Sequence, residues 1–97
     1  MEKTVVLNVE YTMKPGGALA FVQELTDSGI LQKVRAWDGC LKYDYYRPLE
    51  GENLLLVEWW SDEEALRVHQ TSDYFPKLLE IVDKYATDST LEKYSVK

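Results

Sequence analysis

Hydrophobic positions along the chain switch between two periods. From Thr4 to Tyr11, Val5, Leu7, Val9 and Tyr11 fall on alternate positions with Val6, Asn8 and Glu10 between them, which predicts a β-strand. Lys14-Pro15-Gly16-Gly17 breaks that pattern. Pro15 suits the first turn of a helix, where its missing N–H would be unpaired anyway. Ala18, Phe21, Val22 and Leu25 then recur at helical spacing. Ser28-Gly29 is expected to interrupt this helix, with Ile30, Leu31 and Val34 carrying it on to about Arg35. After the turn pair Asp38-Gly39, Cys40 to Tyr46 alternates as a second strand, placing Tyr43 and Tyr45 on the face of Leu41. Arg47 to Asn53 is a loop short enough to join two antiparallel strands.

Leu54 to Trp60, the third strand, is apolar on both faces: Leu54, Leu56, Glu58 and Trp60 share one, and Leu55, Val57 and Trp59 share the other. Ser61 with Glu64 three residues on has the form of a capping box, so a helix is expected directly after Trp60, with Ala65, Leu66 and His69 inward. A turn at Thr71-Ser72 leads to a helix from Asp73 to Tyr85, with Phe75, Leu78, Leu79 and Val82 as its apolar stripe and Pro76 in its first turn. Thr87-Asp88-Ser89 is turn-like, and Thr90 to Val96 is a weaker final strand. This order predicts an α+β, ferredoxin-like βαββαβ fold, a single domain over residues 1–97, with an antiparallel sheet and helices on one face. The uncovered face of the third strand then exposes a patch that monomers seldom tolerate, so a sheet-to-sheet homodimer is expected.

Composition narrows the partners. A formal charge of −6 over 97 residues repels phosphate backbones and anionic lipid, so neither nucleic acid nor a membrane surface is an expected partner. The lone Cys40 cannot form an internal disulfide, and with one histidine it cannot build a Cys/His zinc site; no metal is expected. The N-terminus lacks the regions of a signal peptide, and no apolar run is long enough to span a membrane, which points to the cytoplasm.

Several residues carry possible chemistry, each with a plainer alternative. His69 can accept a proton near neutral pH, or it can be a helix-end histidine that bonds a backbone carbonyl or simply faces solvent. Trp60 can wall an aromatic pocket and donate its indole N–H, or simply fill the core. Glu58 shares the face of Trp60 and needs a partner if buried; a structural anchor is the favoured role. Asn8 lies mid-strand among valines, where an amide either has a use or makes a cross-strand bond. Tyr43, Tyr45 and Tyr46 can add hydroxyls or packing, and Cys40 reads as a small filler.

Glu58-x-Trp60, His69 nine positions on, then Ser72 and Tyr74, together with Lys14-Pro15-Gly16 and Asp38-Gly39-Cys40-Leu41-x-Tyr43, resemble the antibiotic biosynthesis monooxygenase family of dimeric α+β barrel proteins over about residues 4–96. The resemblance implies an oxygenase without metal, haem or flavin that oxidises quinol-like or polyphenolic aromatic small molecules with O2. His69, Trp60 and Asn8 would be its catalytic residues; Tyr43, Glu58, Tyr74 and Phe75 would contact the substrate. Tyr74 stands where many members carry a second histidine. Relatives with this fold degrade haem, but the place of their haem-ligating histidine falls near Leu79 here, which argues against that reaction. The alternative is a non-oxygenase dimeric domain that binds or isomerises a small metabolite, or serves assembly alone.

Overall fold

The protein is described by a computed structural model over residues 3–96. Its elements run β1 (Thr4–Met13), α1 (Gly17–Asp27), α2 (Ile30–Arg35), β2 (Cys40–Tyr46), β3 (Leu54–Trp60), α3 (Glu63–Gln70), α4 (Phe75–Tyr85) and β4 (Ala86–Val96). The four strands form one antiparallel sheet in the order β2-β3-β1-β4. This is the expected ferredoxin-like α+β arrangement.

The period-two pattern of β1 and β3 sets the two faces of the sheet. Val5 pairs with Trp60, Leu7 with Glu58, and Val9 with Leu56, so these side chains project together to the helix side. There they pack with Phe21, Leu25, Val34, Leu66, Leu78 and Ile81 in the core. Burial of each such side chain contributes roughly 1.5–3 kcal/mol relative to exposure. The other face carries Val6, Asn8, Leu55, Val57 and Trp59; Leu55 and Trp59 are partly exposed. Lys42 lies 5.7 Å from the ring centres of both Tyr46 and Trp59 on this side.

Several local expectations are corrected. Pro15 precedes the helix instead of entering it: Gly16, at φ 71, occupies the N-cap position and α1 starts at Gly17. The α3 cap is Asp62, whose side chain accepts from the Ala65 N–H, so the capping function sits one residue later than Ser61. Ser61 instead gives its backbone N–H to the Gly39 carbonyl at 2.8 Å. In β2 the register slips between Cys40 and Lys42, and Leu41 is the extra residue of a bulge. Leu41 is thereby exposed, while Tyr43 and Tyr45 turn in opposite Glu58 and Leu56. In α4 Ile81 takes the buried place expected for Leu79, which is 48% exposed. The polar run Thr87–Ser89 is strand, not turn, because β4 enters directly from α4. All of β4 after Ala86 is exposed, so its composition carries no apolar alternation to read.

Gly39 shows why a glycine is required where β2 meets α3. Its φ is +86, and a Cβ there would lie 2.4 Å from the Ala65 Cβ. The close approach fixes the start of α3 against the start of β2.

Candidate active site

The site grows from β3. Residues two apart on a strand project to the same side, which sets Glu58 and Trp60 together beneath the helices. The Trp60 Nε1–H donates to Glu58 Oε1 at 3.0 Å, giving the buried carboxylate a partner. Capped by Asp62 and with Glu63 and Glu64 in its first turn, α3 directs Leu66 and His69, three residues apart, into the core. His69 is 2% exposed, and its ring stacks on Trp60 with centroids 4.6 Å apart and planes inclined at 27°.

The turn after α3 closes the site. Ser72 Oγ donates to the His69 carbonyl at 2.7 Å, holding the chain back on itself. Tyr74 is then placed with its hydroxyl hydrogen-bonded to His69 Nδ1. Phe75 meets the imidazole edge-on at 5.2 Å, and Tyr43 does so at 6.0 Å from the sheet side. His69, Trp60, Glu58, Tyr43, Tyr74 and Phe75 therefore converge. Asn8 does not: it pairs with Val57 and Glu92 and projects from the opposite face of the sheet. Leu79 is half-exposed on α4, so a ligand at that position would point outward.

Burial shapes the ionisation of the cluster. The Glu58 carboxyl is pushed up to about 7 by loss of water, against the opposing bond from Trp60. His69 is held down to about 4 by the same cause, so its imidazole is neutral at pH 7. Tyr74 is raised to about 12 chiefly by burial, with the Ser72 hydroxyl acting the other way. Tyr11, Tyr43 and Tyr45 are all raised, first by burial, with the Glu58 charge adding to each. The Tyr45 hydroxyl is buried without a hydrogen-bond partner. The Cys40 thiol is also raised by burial and by Glu58, the opposite of an activated thiolate. Chemically, the cluster offers a carboxylate that exchanges a proton near neutrality and an imidazole with one N–H and one lone pair. Among the described residues, no three His, Cys, Asp or Glu side chains group as metal ligands.

Tyr74 is buried but borders the surface. It lines a cleft of about 580 Å³ with Lys33, Trp37, Val68, Thr71 and Ser72. A neighbouring cleft of about 480 Å³ shares Trp37 and Val68. The Trp37 ring meets Tyr74 at 5.2 Å in an edge-on contact. Trp37 has no place among the sequence-based candidates, although its spacing of three from the buried Val34 marks it as continuing the inner stripe of α2.

The family model for antibiotic biosynthesis monooxygenase matches residues 4–80. No curated protein matches the chain. Among solved structures, a conserved protein from Methanosarcina mazei is similar at 24% identity and a TM-score of 0.83, covering 99% of this chain and 95% of its own. A Caulobacter crescentus protein, provisionally named an antibiotic biosynthesis monooxygenase, superposes with a TM-score of 0.86 at 21% identity, covering 99% and 92%. A Mycobacterium tuberculosis protein shares 26% identity over 94% of this chain and 92% of its own, with a TM-score of 0.77.

Proposed function

The chain belongs to the antibiotic biosynthesis monooxygenase family, and from that premise we propose that it is a cofactor-independent monooxygenase acting on quinol-like or polyphenolic small molecules with O2. The observation that supports this reading is the buried Glu58, with a pKa of about 7, set against Trp60 in the aromatic layer that holds His69. A general base works best with a pKa near the working pH, so Glu58 is the better proton acceptor and His69, at about 4, the poorer one. Glu58 removes a hydroxyl proton from the substrate. The electron-rich ring then reduces O2 and forms a C–O bond, and the peroxide collapses with loss of water: quinol plus O2 gives hydroxyquinone plus water. Neutral His69 contributes its N–H to the developing oxyanion, and the apolar layer excludes bulk water.

Oxygen consumption with hydroquinones, naphthols and anthrones, without added cofactor, tests the reading. Uptake should fall by roughly 10²-fold or more in both Glu58→Gln and His69→Ala. Unchanged turnover in the two variants would end the assignment.

One observation favours the alternative, a non-oxygenase dimeric domain. His69 and Trp60 pack directly on each other at 2% and 0% exposure, as in a filled core. That reading requires no substrate-dependent oxygen uptake. Under either reading, a second copy of the chain is proposed to cover the outer sheet face, where Leu55, Trp59 and Tyr94 are each exposed by more than a third. A monomeric mass by light scattering at micromolar concentration would remove the homodimer.

A further inference from the structure

The buried histidine is already bonded to a phenol. Tyr74 places its hydroxyl on His69 Nδ1, and a phenol is the functional group of the proposed substrates. His69 is closed off at 2% exposure, so a ligand can reach it only if a neighbour moves. Of the side chains around the imidazole, Trp60 is fully buried on β3, Tyr43 is held in β2, and Phe75 meets the ring edge-on with no polar atom to offer it, so Tyr74 alone holds a ring nitrogen. Tyr74 sits just before α4, after the short Thr71–Asp73 turn, and borders a cleft of about 580 Å³ that Trp37 also lines. Trp37 already meets the Tyr74 ring edge-on at 5.2 Å, so a ring that turns into the cleft keeps an aromatic neighbour.

We propose that Tyr74 is a resident stand-in for the substrate: its phenol holds the position on His69 Nδ1 that a phenolic ligand takes when the Tyr74 ring turns out into the Trp37 cleft. This rests on the phenol-oxidising reading of the site and specifies how that site selects for a ring hydroxyl. Competition sets the selectivity. A ligand with a ring hydroxyl replaces the bond that Tyr74 gives up, whereas the same ring without one leaves His69 unpaired and pays for displacement with nothing in return.

The single histidine makes the test specific, because ¹⁵N-histidine labelling gives signals from one imidazole. Titration of 2-naphthol into the unaltered protein should shift the Nδ1 resonance, while 2-methoxynaphthalene should not. In Tyr74→Phe, which keeps the ring but removes the competing hydroxyl, 2-naphthol should bind roughly tenfold tighter, the equivalent of about one hydrogen bond. Equal affinity in the two proteins, or naphthol binding that leaves the imidazole signal unmoved, overturns the proposal. Oxygen uptake run alongside separates the two readings. A moved imidazole without uptake upholds the stand-in and rejects the oxygenase; uptake with an unmoved imidazole does the reverse.

Discussion

The two faces of β3 differ in what their polar groups are allowed to do. On the helix side, Glu58 is 6% exposed, bonded to Trp60 and shifted toward neutrality. On the outer side, Trp59, one residue away, is 40% exposed and lies near the Lys42 ammonium in an open contact. Desolvation makes the difference, because a carboxylate denied water changes its proton affinity while a partly exposed cation keeps much of its hydration. One strand thus turns a buried, partnered carboxylate to one side and a partly exposed apolar surface to the other, and alternation alone assigns each residue to its face.

The sharpest break of this contrast is catalytic. Glu58→Gln should lower oxygen uptake by roughly 10²-fold or more, whereas Asn8→Ala, on the outer face, should change it little in steady-state assays. A large loss from Asn8→Ala would mean that the outer face takes part in the reaction. Next in size is packing. Trp60→Ala should cost about 3–5 kcal/mol in urea denaturation, and Trp59→Ala far less, since only the first opens a cavity in the core. Trp59→Lys should instead halve the mass seen by light scattering while leaving the helical signal in circular dichroism intact.

A smaller effect comes from pH. The folded chain keeps the Glu58 proton up to about pH 7, whereas the unfolded chain releases it near the ordinary 4.5, so this group's contribution to stability falls as pH rises through that window. His69 works in the other direction: folded it stays neutral down to about 4, so its contribution is lost as pH drops from about 6.5. Glu58→Gln should therefore be more stable than the parent by roughly 1–3 kcal/mol at pH 8, with the gain vanishing near pH 4.5 in paired denaturation curves. The smallest effect tests the unpartnered hydroxyl. Tyr45→Phe should raise stability by about 1 kcal/mol, because it removes a buried polar atom that has no partner. A loss of that size would show that the hydroxyl is satisfied in solution.

Parity was readable from the sequence wherever the strand was regular. Leu54 to Trp60 alternates without a bulge, so both faces of β3, and the shared side of Glu58 and Trp60, follow from spacing. β2 defeated the same reasoning, since an inserted residue at Leu41 reverses the parity between Cys40 and the tyrosines and leaves no mark in composition. In β4 the segment Thr90–Val96 was readable as strand, but its start was not: Thr87–Ser89 is polar, exposed edge strand, which looks like a turn. Within α4, an apolar residue on each side of Glu80 left Leu79 and Ile81 indistinguishable until the helix was oriented against the sheet. His69 beside Trp60 was legible from strand and helix spacing. Its bond to Tyr74 depends on how the chain folds back through Thr71–Asp73; Trp37 carried a spacing signal from Val34, but its contact with Tyr74 depends on the same fold-back.

β4 also sets the order in which the molecule can loosen. It pairs with β1 alone. Its first residues are pinned where α4 ends, by the Lys14 N–H on the Tyr85 carbonyl at 2.8 Å, Lys14 Nζ on the Lys84 carbonyl at 3.0 Å, and Thr87 Oγ1 on the Thr12 carbonyl at 3.3 Å. Farther along it has ladder bonds to β1 and a surface ion pair from Lys93 to Glu63, the latter worth little in water. An edge strand held on one side opens locally at lower cost than β3, which is paired on both sides and carries the layer around His69.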